Sequence, residues 1–193
     1  MSEFIDPLAV MLLGLGMGTA LGAAYFLAHG LNKRDAVKSL VVPAFGVGFF
    51  DFVSGFIMSF TWPLPSSYNM LFGDPLLMFG LILMMSSYME YRGFDLRFNS
   101  ILLLFLGIYV LVASAGIVHY KLETGDDLLS SMGLYILDGI AAVLAPIMYI
   151  KPENGKYLYL LEFIILLLGT FVALFIGYEA IWGHLLDFIK YFP

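Results

Sequence analysis

The chain has 193 residues, 61% of them apolar and only 12% charged, with a formal net charge of −6. Soluble domains carry roughly 25% charged residues, and a soluble protein this small has too little interior to hide so much apolar surface. The negative balance argues against nucleic acid, which needs a basic face. The absence of cysteine excludes disulfides, thiolate metal sites and cysteine nucleophiles.

The first residues, MSEFIDP, are acidic where a signal peptide is basic, and the apolar run behind them is too long for a signal core, so the first helix is expected to stay in the protein. Crossing ~30 Å of hydrocarbon takes ~20 helical residues at ~1.5 Å each. Six windows meet or approach that length: 8–28, 40–62, 75–91, 100–120, 128–150 and 157–181. They lack period-two alternation and exceed barrel-strand length, so the expected fold class is all-α, a polytopic membrane bundle of six transmembrane helices forming a single integral membrane domain over 1–193.

The first window carries Gly14, Gly18 and Gly22, a stripe of small residues expected to pack tightly on another helix of the same chain. The second holds Asp51 near its middle, with Gly48, Gly55 and Ser59 on the same helical face. An Asp at that depth costs ~2.5–3.5 kcal/mol, so it should point into the bundle, either as a proton or cation site or as a protonated structural residue. Between the second and third windows lies TWPLPSSYNMLFGDP, expected to be a structured outer lid or plug, with Ser66 or Ser67 capping a short helix that ends at Gly73. Asp6-Pro7 and Asp74-Pro75 each read as a capping carboxylate before a helix-starting Pro.

The third window is the shortest and ends with Glu90; the fourth ends with His119. The fifth holds Asp138 at a depth matching Asp51, on a face with Ser131, Tyr135, Ala142 and Ala145, and Pro146 should kink it. The turn KPENGK follows. The sixth is too long for one straight span: it should cross by about Ile181, loosen at Gly183, and leave 182–193 as an amphipathic interfacial end. Glu162, near its start, is expected to snorkel toward Lys156.

Lys33, Arg34, Lys38, Arg92, Arg97, Lys151 and Lys156 share one side, against Lys121 and Lys190 on the other. The positive-inside rule therefore expects a cell-membrane protein with both termini extracytoplasmic. Glu3, Asp6, Asp74, Glu123, Asp126, Asp127 and Asp187 make the outer side acidic. The odd number of helices in each half would allow a 3+3 inverted pseudo-repeat, with Asp51 and Asp138 on corresponding helices.

Asp51 and Asp138 are the transport or proton-binding candidates, and could share a proton or clasp a cation if their helices touch. Asn69, Asp74 and Glu179 are candidates on the outer rim. His119 and His184 are metal or haem candidates: a helix break at Gly183 would bring His184 to Glu179, and His119 ends the fourth window on the same outer side. His29 ends the first helix on the opposite side. No cofactor is specified, and no HExxH, GxSxG or phosphate loop points to an enzyme. The lipid bilayer is the one clear partner; a small ion or solute, a second copy of the chain, or a larger membrane complex are the others to weigh.

The strings FFDFVSGFIMSFTWPLPSSYNMLFGDP and FIGYEAIWGH resemble a family of archaeal and some bacterial multi-pass membrane proteins, known only as a domain of unknown function (number nine hundred eighty-one). The resemblance covers most of the chain. It implies a prokaryotic cell-membrane protein, archaeal in the first instance, and it implies no activity and no functional residues. The readings that follow from the residues are a proton- or cation-coupled carrier or channel, a non-catalytic accessory subunit of a membrane complex, or a redox subunit holding haem.

Overall fold

A computed structural model describes residues 7–150 and 155–187. Among these there is no strand. The helices are α1 (Pro7–Gly30), α2 (Arg34–Thr61), a π-helical turn (Asn69–Gly73), α3 (Asp74–Arg92), α4 (Arg97–His119), α5 (Gly125–Leu144), α6 (Ile147–Ile150) and α7 (Gly155–Asp187). Six stretches are long and apolar enough to cross a membrane: α1, α2, Asn69–Arg92, α4, Gly125–Ile150 and most of α7. Glu3, Asp6, residues 151–154 and residues 188–193, Lys190 among them, lie outside the described residues.

Local chemistry explains several helix ends. Gly93 and Trp62 take left-handed conformations after α3 and α2, and the N–H of Gly93 closes back on Glu90 and Met89 carbonyls. The Asp95 carboxylate accepts from the Arg97 backbone N–H at 2.8 Å, at the start of α4. Pro146 interrupts the fifth span as expected: α5 stops at Leu144 and a short α6 completes the crossing.

Three expectations need correction. Asp74 is not an N-cap, because the π turn runs into α3 without a break and Gly73 is itself helical; the Asp74 carboxylate instead accepts from the Tyr109 hydroxyl at 3.1 Å. That π turn also lengthens the short third window. Gly183 does not loosen α7, which continues as one helix to Asp187, about 50 Å long at ~1.5 Å per residue. Every backbone bond stays satisfied inside a helix, and a single Gly carries only a modest penalty there.

Lipid supplies no hydrophobic drive between helices, so the spans associate through close packing of small residues. Gly14 and Gly18 of α1 face α2, while Gly16 and Gly22 face Leu174 and Leu166 of α7. The expected intrachain packing of this stripe is therefore realised, with α1 wedged between two neighbours. The α2–α3 seam is tighter: a Cβ on Gly55 would meet the Leu77 Cα at 2.7 Å, and one on Gly80 would meet the Gly48 carbonyl at 2.6 Å. Gly107 and Gly139 form the corresponding seam between α4 and α5.

Helices α1, α3, α4 and α5 supply most of the wall of a cavity within the bundle, and α7 adds Glu162 and Leu166. Helix α2 packs outside them on α1 and α3, lending the wall only Leu40, Val41 and Ala44. Outward-facing Phe45, Phe60, Phe105, Phe171 and Phe175 are exposed, as a lipid-facing surface requires. Exposed Trp62, Tyr120 and Trp182 mark one end of the bundle, and Tyr88, Tyr91 and Tyr157 the other, the placement of interfacial aromatic belts.

The TWPLP segment is tied down. The Asn69 side-chain amide is fully buried, its carbonyl accepting from Leu64 N–H at 2.8 Å and its NH2 donating to the Leu64 carbonyl. The Tyr135 hydroxyl donates to the Leu71 carbonyl. Tyr68, outside the spans, is held above the usual phenol range by burial first and then by its hydrogen bond to Glu123.

Candidate functional site

Asp51 is completely buried, and neither carboxylate oxygen has a hydrogen-bond partner among the described residues. It rests in a notch in α1: Oδ1 occupies the space a Gly14 side chain would need, and Oδ2 lies 3.2 Å from where a Gly18 Cβ would sit. The close α2–α3 seam at Gly48 and Gly80 holds it there. The small-residue face predicted around Asp51 thus does bring another helix close, and α1 contributes the matching notch.

Asp138 is seated in the same manner on a different helix. Its Oδ1 fills the space beside Gly169 of α7 and has no hydrogen-bond partner among the described residues. The depths of the two carboxylates can be compared through α1. The Thr19 and Thr170 hydroxyls meet at 2.9 Å, which puts Gly169, and with it Asp138, level with the middle of α1. Gly14 and Gly18 put Asp51 within about one 5.4 Å turn of that level. The depth match is realised, but the pairing is not: Asp51 faces α1 and α3, while Asp138 faces α7 and lines the cavity. Asp51 does not line the cavity, whereas Gly18 and Phe79, which crowd the same notch of α1, both do.

The cavity has a volume of about 220 Å³. At ~10–15 Å³ for each water position, that is room on the order of fifteen waters. Its lining on α1 extends from Leu8 to Phe26, a rise of about 27 Å. Glu90, Asp138 and Glu162 are its charged lining residues, and no Lys, Arg or His is among them.

Glu162 was expected to snorkel toward Lys156. Instead it is 2% exposed, and neither oxygen has a hydrogen-bond partner among the described residues. The reason is its position on α7. It lies seven residues before Gly169, on the face that continues through Ala173 and Gly177 toward α1. Its i+4 and i+8 neighbours, Leu166 and Thr170, touch Gly22 and Thr19. That stripe of small and polar residues was the available signal; proximity to the helix end concealed it. Glu90, treated as a terminal charge, also faces inward and accepts from the Tyr25 hydroxyl at 3.3 Å. His29 lies beside this pair, its ring 4.5 Å from that of Tyr25 and stacked on Tyr159.

The other candidates take different places. Asn69 is a clasp for the lid, Asp74 pairs with Tyr109, and Glu179 is exposed on α7. His119 ends α4, exposed and edge-on to Tyr120, while His184 lies in the last turn of α7. Helices α4 and α7 each pack on α5, and the unbroken α7 removes the bend that would have swung His184 toward Glu179. Among the described residues no three His, Asp or Glu side chains are grouped to hold a metal ion.

The family described as "Protein of unknown function (DUF981)" matches residues 1–187, so the chain belongs to that family. No curated protein and no solved structure matches it.

Proposed function

We propose that this protein is a small carrier or channel of the cell membrane that binds a proton or cation at carboxylates within its spans. The observation that carries the reading is Glu162, buried and without a hydrogen-bond partner in the wall of an intramembrane cavity that Asp138 also lines. Charged groups inside spans are costly, and those that line cavities mark ion or substrate paths. In this reading Asp138 and Glu162 exchange the proton or cation with the cavity. Asp51, at nearly the same depth, joins them when Phe79 moves aside. Both termini and the lid lie outside the cell, and the basic loops face the cytoplasm.

Proton and monovalent-cation flux in proteoliposomes is the test. The double variant Asp138→Asn, Glu162→Gln should lose nearly all flux while remaining folded and monodisperse in detergent. Wild-type flux in that folded variant would sink the proposal.

A further inference from the structure

The cavity is unequal along its length. Toward the basic loops its wall carries the Tyr25–Glu90 hydrogen bond, Ser86, Asn99, Tyr149 and Glu162. Toward the lid it is largely hydrocarbon, with Leu12, Leu71, Phe72, Phe79 and Val110, and the Tyr135 hydroxyl there is already donated to the Leu71 carbonyl. Asp138 and Thr19 lie between these halves. Such a space is poorly matched to a bare metal ion, which needs several converging oxygens. Anions are disfavoured by the carboxylates and find no basic side chain in the lining.

We infer that the cavity binds an amphiphile with a hydrocarbon chain and a positively charged head. The head sits beside Glu162 and Glu90 at the polar end, about 10 Å along α7 from Asp138, and the chain points toward the lid between Phe79 and Val110. Three independent features converge on this class. The buried Glu162 carboxyl presents both oxygens with no hydrogen-bond partner among the described residues, so a cationic head would supply the missing contact. The wall also holds the aromatic side chains of Tyr25 and Tyr149, a residue type that attracts alkylammonium groups. The cavity's extent of about 27 Å exceeds the ~15 Å of one bilayer leaflet, enough for one chain and its head. The inference deepens the transport reading and rests on it for the cavity being a ligand site.

The probe is a long-chain primary alkylammonium carrying a diazirine on its chain, photolysed with the full-length protein in neutral-lipid nanodiscs. Labelling should be saturable and map to peptides containing Phe79 or Val110. An unlabelled primary alkylammonium should compete, and an alkyl sulfate of equal chain length should not. Glu162→Gln should weaken binding at least about tenfold, the loss expected for one charge-assisted contact; Glu90→Gln is the second variant if the first fails to fold. Equal competition by the alkyl sulfate, or unaltered binding in both folded variants, overturns the inference, and the competition series needs no variant at all. Binding without flux would leave the site standing and refute the carrier. Flux without binding would do the reverse. Organic extraction of protein purified from native membranes separates the sources of the ligand: a resident cationic lipid is recovered in stoichiometric amount, a passing solute is not.

Discussion

Glu162 illustrates how a side chain can be costly where it stands and still be kept. Its carboxyl is removed from water, and no hydrogen bond among the described residues offsets that loss. A leucine of similar bulk would avoid the penalty, so Glu162→Leu should raise stability by about 1–3 kcal/mol. Thermal unfolding in detergent should show the higher midpoint, and the same variant should be inactive in flux, a trade of function for stability. A lower midpoint would mean that the carboxyl has a stabilising partner after all. The sequence displayed Asp51 and Asp138 plainly, because a lone acid in mid-span has few readings. Glu162 was harder to recognise. Its distance from the helix start fitted snorkelling, and only its register with Gly169, Ala173 and Gly177 argued otherwise.

Among the helices, the seams are where single methyl groups matter. Gly80 meets the backbone of α2 directly, so Gly80→Ala must force α2 and α3 apart and should destabilise the protein by about 1–3 kcal/mol. Gly46, on the same α2, has open space where its side chain would be, and Gly46→Ala should instead be neutral or gain about 0.5–1 kcal/mol. Unfolding titrations of the pair isolate close approach from helix propensity; equal effects would refute the seam. Helix number, the Pro146 break and the small-residue faces were legible from apolar runs and spacing. The π turn and the unbroken end of α7 were not. Whether a Gly or Asp-Pro boundary ends a helix depends on the neighbouring backbone, which a window of hydropathy does not contain.

For the molecule as a whole, sidedness is the property the sequence expresses most strongly and the fold leaves to experiment. The chain has no cysteine, so single cysteines report cleanly. Asp95→Cys, between α3 and α4, should react with an impermeant maleimide only after lysis, and Asp126→Cys, at the start of α5, in intact cells. The opposite pattern would invert the proposed topology.

Phe79 and Asp51 crowd one notch of α1 at Gly18, and Phe79 also lines the hydrocarbon half of the cavity. A ring can swing only into unoccupied space. A chain lodged beside Phe79 would bolt that door, while an empty cavity leaves it free to turn. In the proposed carrier, cargo and a mobile Asp51 proton would therefore take turns. Phe79→Ala should abolish the alternation, letting a carboxyl-modifying carbodiimide reach Asp51 whether or not the cavity is filled; protection by ligand as strong as in the wild type would show that the ring is no door.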